Sequence, residues 1–448
     1  MKNKWFNLTN ASGFLRSAYF QSMVIRISNA LLAFGVAVLM ARLLGPDEYG
    51  KYAIILSLAT ILGIPFKAGL PRTMTRDIAI ARTSSDPGRV RAIIRFGAIV
   101  FLLLIPLVIL VAVCIWIVGY EVAGVALGVV FAGVLAPIFA ANSNRMAVMR
   151  GLGSAIRSQI PDMLIQPLGT AIIVVALITV LGTASAEVGL IAYAASTILG
   201  VLVGVLMVRS DIKQIPDIAP ANNFKRSGFL GSVATMSLLG AATSITGNID
   251  MLLLNHFGAY SDAGYYKVAL SGLAVVVLGG NAVSAVAFTR LAESIPSGDL
   301  NKIAAQSDKA LIWSSLFTGG VTVLVLILGR PVINLFFGEE YSDAWPILLV
   351  LSIGFTVAFL FGQGPDLASL SGAQVPAAFC ILIGIVVTIG FAIGMQDSLG
   401  VMAIALGSMI GTITRFVLTS FVVRFSIKID ISIFGFIYRL LKNRTREG

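Results

Sequence analysis

An all-α, polytopic membrane protein is the fold class that this sequence predicts, and three observations predict it. Of its 448 residues, 57% are hydrophobic and only 12% are charged, which is about half the charged share of a soluble globular domain. Apolar runs long enough to cross a bilayer recur from the region of residue 17 to that of residue 424; about 12 can be drawn at roughly 20 residues each. The loops between them are too short to hold a separate soluble domain, so one membrane domain is the whole molecule.

In chain order, residues 1–16 mix Lys2, Lys4 and Arg16 with Trp5, Phe6, Leu8 and Phe14, which reads as a short helix lying on the inner interface. An N-lobe over 17–208 follows, with spans near 17–44, 49–68, 92–118, 121–141, 158–182 and 187–208. The first run is too long for the apolar region of a cleaved signal, and no small-residue cleavage pattern follows it. Residues 209–228, with Pro216, Pro220, Asn222 and Asn223, read as a cytoplasmic linker. A C-lobe over 229–424 has spans near 229–257, 263–288, 310–329, 346–366, 375–395 and 399–424. The tail, 425–448, is basic and amphipathic through Phe434, Phe436, Tyr438, Arg439 and Lys442; it too reads as cytoplasmic and interfacial.

Comparing the sequence with itself pairs Gly50 with Gly264 and Ser57 with Ser271. Both glycines open a helix just after a short external turn, GPDEYGKY from Gly45 and GAYSDAGYYK from Gly258. Two parallel six-helix repeats explain the match, and such repeats place substrate between the lobes near the midplane.

The net charge of +11 would suggest nucleic acid in a soluble protein, but in a membrane protein the position of the bases matters more. With the N-terminus inside, the external side receives only Arg42, Lys51, Lys267 and Arg330. That asymmetry puts both termini in the cytoplasm. Cys114 and Cys380 lie far apart in apolar spans, so neither a disulfide framework nor a metal-ligand spacing is present.

Five segments carry a family resemblance: RLLGPDEYGKY at 42–52, KAGLPRTMTRDIA at 67–79, MRGLGSAIRSQIPDMLIQP at 149–167, NIDMLLLNHFG at 248–258 and GQGPDLASLSG at 362–372. In order and spacing the chain resembles the oligosaccharide (O-antigen-type polysaccharide) flippases, whose superfamily also holds multidrug antiporters and lipid II flippases. The resemblance implies two six-helix lobes around a central cavity in the inner membrane, and alternating access. The substrate it implies is an oligosaccharide joined through pyrophosphate to a polyprenyl lipid. Its implied partners are that lipid-linked oligosaccharide, membrane lipids, and the polymerase and glycosyltransferases of the same pathway. No cofactor is expected, and a coupling ion would be H+ or Na+.

Against that frame, Ser22, Arg26 and Asn29 share one face of the first span. An arginine there either snorkels to the inner interface or lines a wet cavity, where its planar donors suit pyrophosphate oxygens. The lipid II flippases, which the chain resembles here, place arginines on this helix. Arg415 shares a face with Ser408, Thr412 and Thr419, with snorkelling again the competing reading. Lys67 follows Gly63 and Pro65 near an expected helix break, as a cavity cation or as an ordinary positive-inside anchor.

Asp250, inside the seventh span with Thr243 and Thr246 on its face, resembles an aspartate found at this position in many family members. Three readings stand: a salt bridge closing the external gate with a cation of similar depth (Arg42, Lys51 or Lys267), proton or sodium coupling, or helix-end solvation. His256 reads as an interfacial histidine without a role, and Asp162 and Asp366 as helix-edge residues. The expected cavity is net positive and lined by the first, second, seventh and eighth spans. A glycosyltransferase or ligase would need catalytic groups on a sizeable external loop, and the stretch from Arg330 to Trp345 has no histidine. A multidrug antiporter of the same fold is the alternative function, and its cavity should be acidic.

Overall fold

The computed structural model describes residues 18–118, 128–213, 226–294 and 300–447. Among these residues every regular element is helical, and nine helices are long and apolar enough to cross a membrane. The chain is an all-α, multi-pass membrane protein.

Hydropathy sets where the helices run, and backbone chemistry sets where they break. The first two expected spans form one helical rod, α1 (Ala18–Leu62), kinked at Gly45 with φ 74° and ψ 170°, and Pro46 follows. Glycine takes that positive φ without a Cβ clash, so the turn expected between the two spans is a kink and not a loop. Gly63 interrupts the rod. Short α2 (Ile64–Lys67) and α3 (Leu70–Thr83) follow, each with proline in its first turn, where a missing N–H costs nothing.

The chain continues as α4 (Pro87–Ile117) and α5 (Gly128–Gly151). A 3₁₀ turn (Arg157–Gln159) and a π turn (Pro161–Ile165) then lead into α6 (Gln166–Leu181), and α7 (Ala186–Lys213) follows. Beyond these come α8 (Arg226–Thr246), α9 (Ile249–Phe257), α10 (Tyr260–Ser294), α11 (Leu300–Phe336), α12 (Ala344–Phe359) and α13 (Gly364–Leu370). The last three are α14 (Gln374–Leu399), α15 (Val401–Ile427) and α16 (Ile433–Glu447).

Two expected spans need correction. The run over 229–257 is two helices, α8 and α9, parted at Gly247 and at Asn248, whose φ is −134°. The run over 346–366 is α12, of 16 residues, about 24 Å at a rise of 1.5 Å per residue and shorter than a hydrocarbon core of about 30 Å. The expected N-terminal interfacial helix (1–16) and residues 214–225 of the expected linker lie outside the described residues. Leu102, Leu103 and Leu110 on α4 and Leu316 and Ile327 on α11 are exposed, and acyl chains are the solvent that such faces need.

The chain divides into two compact units. One comprises the chain up to Leu43 with Leu62–Tyr120 and Val129–Ser237; the other is built on Leu44–Ile61 and Leu238–Gly448. In the first, α3 is amphipathic: Leu70, Met74, Ile78 and Ala81 pack on Val90, Ile93, Ala147, Val148 and Phe229, while Arg72, Arg76 and Arg82 stay exposed.

In the second unit the two matched glycines lie in one close backbone approach. A Cβ on Gly50 would overlap the Tyr260 carbonyl oxygen, and one on Gly264 would overlap that of Pro46. Gly50 and Gly264 are the pair that the sequence match equates, and Pro46 and Tyr260 stand four residues before each. The contact is therefore reciprocal, as across a local two-fold, and only hydrogen side chains allow it. The tail ends in α16, anchored when Arg439 pairs with both oxygens of Asp308 on α11 and donates to the Asp430 carbonyl at 2.7 Å. Phe434, Ile437, Tyr438 and Leu441 remain exposed on it.

Candidate functional site

Each unit carries a polar cluster inside its apolar helices, and the two clusters are built differently. In the second unit the break between α8 and α9 places Asp250 in the first turn of α9, where unpaired backbone N–H groups favour a negative charge. Asp250 is 6% exposed. Its Oδ2 accepts the Tyr266 hydroxyl at 2.8 Å and the Ser408 hydroxyl at 3.0 Å, while its Oδ1 is buried without a partner.

Arg415, two helical turns along α15 from Ser408, lies over Phe416 at 5.6 Å and Phe355 at 6.0 Å. Its Nε is buried and unpaired. The charge of Asp250 reaches Arg415 through space, but the two form no ion pair. Thr412 and Thr419, on the same face, are buried.

Within this unit the expected salt bridge from Asp250 to a cation of similar depth is overturned for Lys51 and Lys267. Lys51 pairs with Glu48 at 2.6 Å, three residues before it, and lies over Tyr260. Lys267 forms no ion pair with Asp250. The Thr243 and Thr246 hydroxyls bond to their own helix, at the Leu239 and Ala242 carbonyls. His256 packs edge-on against Phe257.

In the first unit, Lys67 ends α2 and sits 4.5 Å from the centre of the Phe139 ring, within the field of Asp162. Asn29 is half-buried on α1. Arg26 falls on the same helix, but its side chain lies outside the described residues, as does that of Asp366.

Asp162, expected only as a helix-edge residue, proves to be a centre of contacts. It sits in the π turn before α6, a local widening that recurs at functional sites. Its Oδ1 accepts from the Asn142 amide and from Arg145 Nη2 at 3.1 Å. Arg145, 5% exposed, also donates to the Asn142 carbonyl oxygen at 2.8 Å. One turn along α6 from Asp162, Gln166 donates to Thr197 at 3.2 Å and is hydrogen-bonded with Tyr193, whose ring meets Phe139 edge-to-face. The sequence held a signal for this cluster in the polar run Asn142 to Arg145 at the end of an apolar span and in the i, i+4 pair Asp162 and Gln166. Among the described residues no group of His, Cys, Asp and Glu could hold a metal ion.

Residues 17–294 match the model of the family described as polysaccharide biosynthesis protein. A "Putative O-antigen transporter" of Shigella flexneri is 26% identical over 343 residues, which are 72% of this chain and 77% of that protein. Among solved structures, an inward-facing multidrug resistance MATE family transporter of the MOP superfamily is similar with a TM-score of 0.74 and 16% identity, covering 90% of this chain and 98% of its own. The lipid II flippase MurJ, in an inward closed conformation, is similar with a TM-score of 0.65 and 15% identity, over 95% of this chain and 92% of its own. At 15–16% identity these likenesses show a shared fold.

Proposed function

The chain belongs to the polysaccharide biosynthesis protein family, and from that premise we propose that it flips a polyprenyl-pyrophosphate-linked oligosaccharide across the inner membrane by alternating access. What supports an anionic cargo is the state of two cations. Lys67 and Arg415 lie among apolar helices, each over an aromatic ring, and neither has an ion-pair partner among the described residues. A cation so placed is expensive unless something anionic meets it. A pyrophosphate has the complementary problem: an unpaired anion in hydrocarbon costs tens of kcal/mol on an idealised estimate, so protein donors must replace its water.

In the proposal Arg26 and Asn29 on α1 add donors to Lys67 in the first unit, Asp250 is the carboxylate beside Arg415 in the second, and both termini are cytoplasmic. The polymerase and glycosyltransferases of the same pathway are the proposed partners. The alternative, a multidrug antiporter taking organic cations, would draw on Asp250 and Asp162, and Asp162 is already paired with Arg145.

Proteoliposomes separate the two. The expected result is protein-dependent movement of a polyprenyl-pyrophosphate oligosaccharide between leaflets and no accumulation of a cationic dye; dye uptake without lipid movement would reverse the assignment. In cells, Arg26→Ala is expected to abolish glycan export at matched membrane levels while Arg26→Lys keeps part of it, because lysine retains the charge but not the planar fork.

A further inference from the structure

The first unit holds a second kind of chemistry that the cation argument leaves unused. Around the π turn, Asn142, Asp162, Gln166 and Tyr193 close into a ring of contacts with Phe139 and Lys67. Lys67 covers Phe139, Phe139 meets Tyr193, and Tyr193 bonds with Gln166. Gln166 is one turn from Asp162, which binds Asn142, and Asn142 is one turn from Phe139 on α5. All six side chains are half-buried, not sealed.

We infer that this ring is a sugar-binding subsite, reading the glycan next to the pyrophosphate; the inference rests on the flippase reading above. Three features carry it. First, the donors and acceptors are of the planar kind. An amide NH₂ has two hydrogens and a carboxylate two acceptor oxygens; Asn142 spends its amide oxygen on Arg145 and one hydrogen on Asp162, so its second hydrogen and the other oxygen of Asp162 remain for pyranose hydroxyls. Asp162 keeps Oδ2 free of any hydrogen bond from the described residues. Two rings beside these groups supply apolar surface for the C–H face of a sugar.

Second, the cluster carries no net charge of its own. Arg145, sealed beneath, neutralises Asp162 and at the same time fixes Asn142. Polarity without net charge suits a neutral, hydroxyl-rich ligand and not an ion. Third, Lys67, a cation with no ion-pair partner among the described residues, stands at the edge of the ring, over Phe139. A neutral sugar bonded directly to an anionic phosphate presents the same order of chemistries, neutral and then charged.

The test compares two ligands on purified protein in nanodiscs: undecaprenyl pyrophosphate carrying the source strain's own oligosaccharide repeat, and undecaprenyl pyrophosphate alone. Asn142→Ala and Gln166→Ala are each expected to weaken binding of the glycolipid about tenfold, the scale of lost hydrogen bonds to a bound hydroxyl. Binding of the bare lipid should stay within about twofold on the same argument. Lys67→Met should weaken both. Should an alanine variant fold poorly, Tyr193→Phe, which removes a single oxygen, carries the comparison.

Equal losses on the two ligands, or none on either, would overturn the subsite while leaving the flippase reading intact. Wild-type protein that binds neither ligand would overturn the flippase reading, and the subsite with it.

Discussion

The two polar clusters invert each other. In the first unit the buried arginine, Arg145, spends its guanidinium on Asn142, Asp162 and the Ser158 carbonyl. In the second unit Arg415 keeps a buried Nε unpaired, and Asp250 an unpaired Oδ1, although each feels the other's charge. A satisfied buried ion pair holds a shape, since breaking it strands a charge. A pair of unsatisfied buried atoms is a standing cost, on the order of 1–3 kcal/mol for each group, which a ligand, a proton or a change of partner can relieve. The first cluster therefore reads as architecture that presents a surface, and the second as the element that changes state.

The largest expected effect tests that division directly. Arg145→Ala empties the buried guanidinium site and leaves half-buried Asp162 with the Asn142 amide as its remaining donor, which should cost on the order of 3 kcal/mol, the lower end for a broken buried pair. Thermal unfolding in detergent would show it as a much lower midpoint and a poor yield. Arg415→Ala removes a guanidinium that has no ion-pair partner among the described residues and packs over Phe355 and Phe416, so its midpoint should fall far less. Equal destabilisation by the two alanines would erase the distinction.

In transport the order should reverse. At matched protein levels Arg415→Ala is expected to slow glycolipid movement by about tenfold or more, the scale of one lost contact with a charged group. Arg415→Lys should fall between alanine and wild type, because it keeps the charge and loses the planar fork. Wild-type rates in Arg415→Ala would return this residue to the snorkelling reading.

How much of this the sequence could reveal depends on the range of the interaction. Span positions were legible because hydropathy is a sum over about 20 neighbouring residues. The inward face of α15 was legible because Ser408, Thr412, Arg415 and Thr419 repeat at helical spacing. The Gly50 and Gly264 match was legible too, though not that the two residues touch.

Other features escaped for physical reasons. A break of two residues at Gly247 and Asn248 vanishes in a hydropathy average, so α8 and α9 read as one span. The partners of Asp250 lie 16 and 158 residues away, and tertiary packing alone selects them over cations of similar depth. Lys51 is a cation of similar depth, yet Glu48 stands three residues before it, a local pairing that helical spacing favours. Asp162 reads from sequence as a span edge, because its contacts come from Asn142 and Arg145 on a different helix.

The smallest effect is expected at a single atom. Both hydrogen bonds to Asp250 arrive at Oδ2, so in Asp250→Asn the amide oxygen can take that place and accept from Tyr266 and Ser408 as before. The amide NH₂ then occupies the position of the bare Oδ1, and folding should change by no more than about 1 kcal/mol, the net worth of one ordinary hydrogen bond. What the variant loses is the ability to gain and release a charge beside Arg415. If Asp250 couples an ion to the cycle, an imposed proton or sodium gradient should accelerate the wild type and leave Asp250→Asn unaffected, with rates at zero gradient within about twofold of each other, since the hydrogen bonds persist. If Asp250 serves only as an acceptor for Tyr266 and Ser408, the variant should respond to the gradient as the wild type does. That outcome would place both clusters in the structural class and remove the contrast between them.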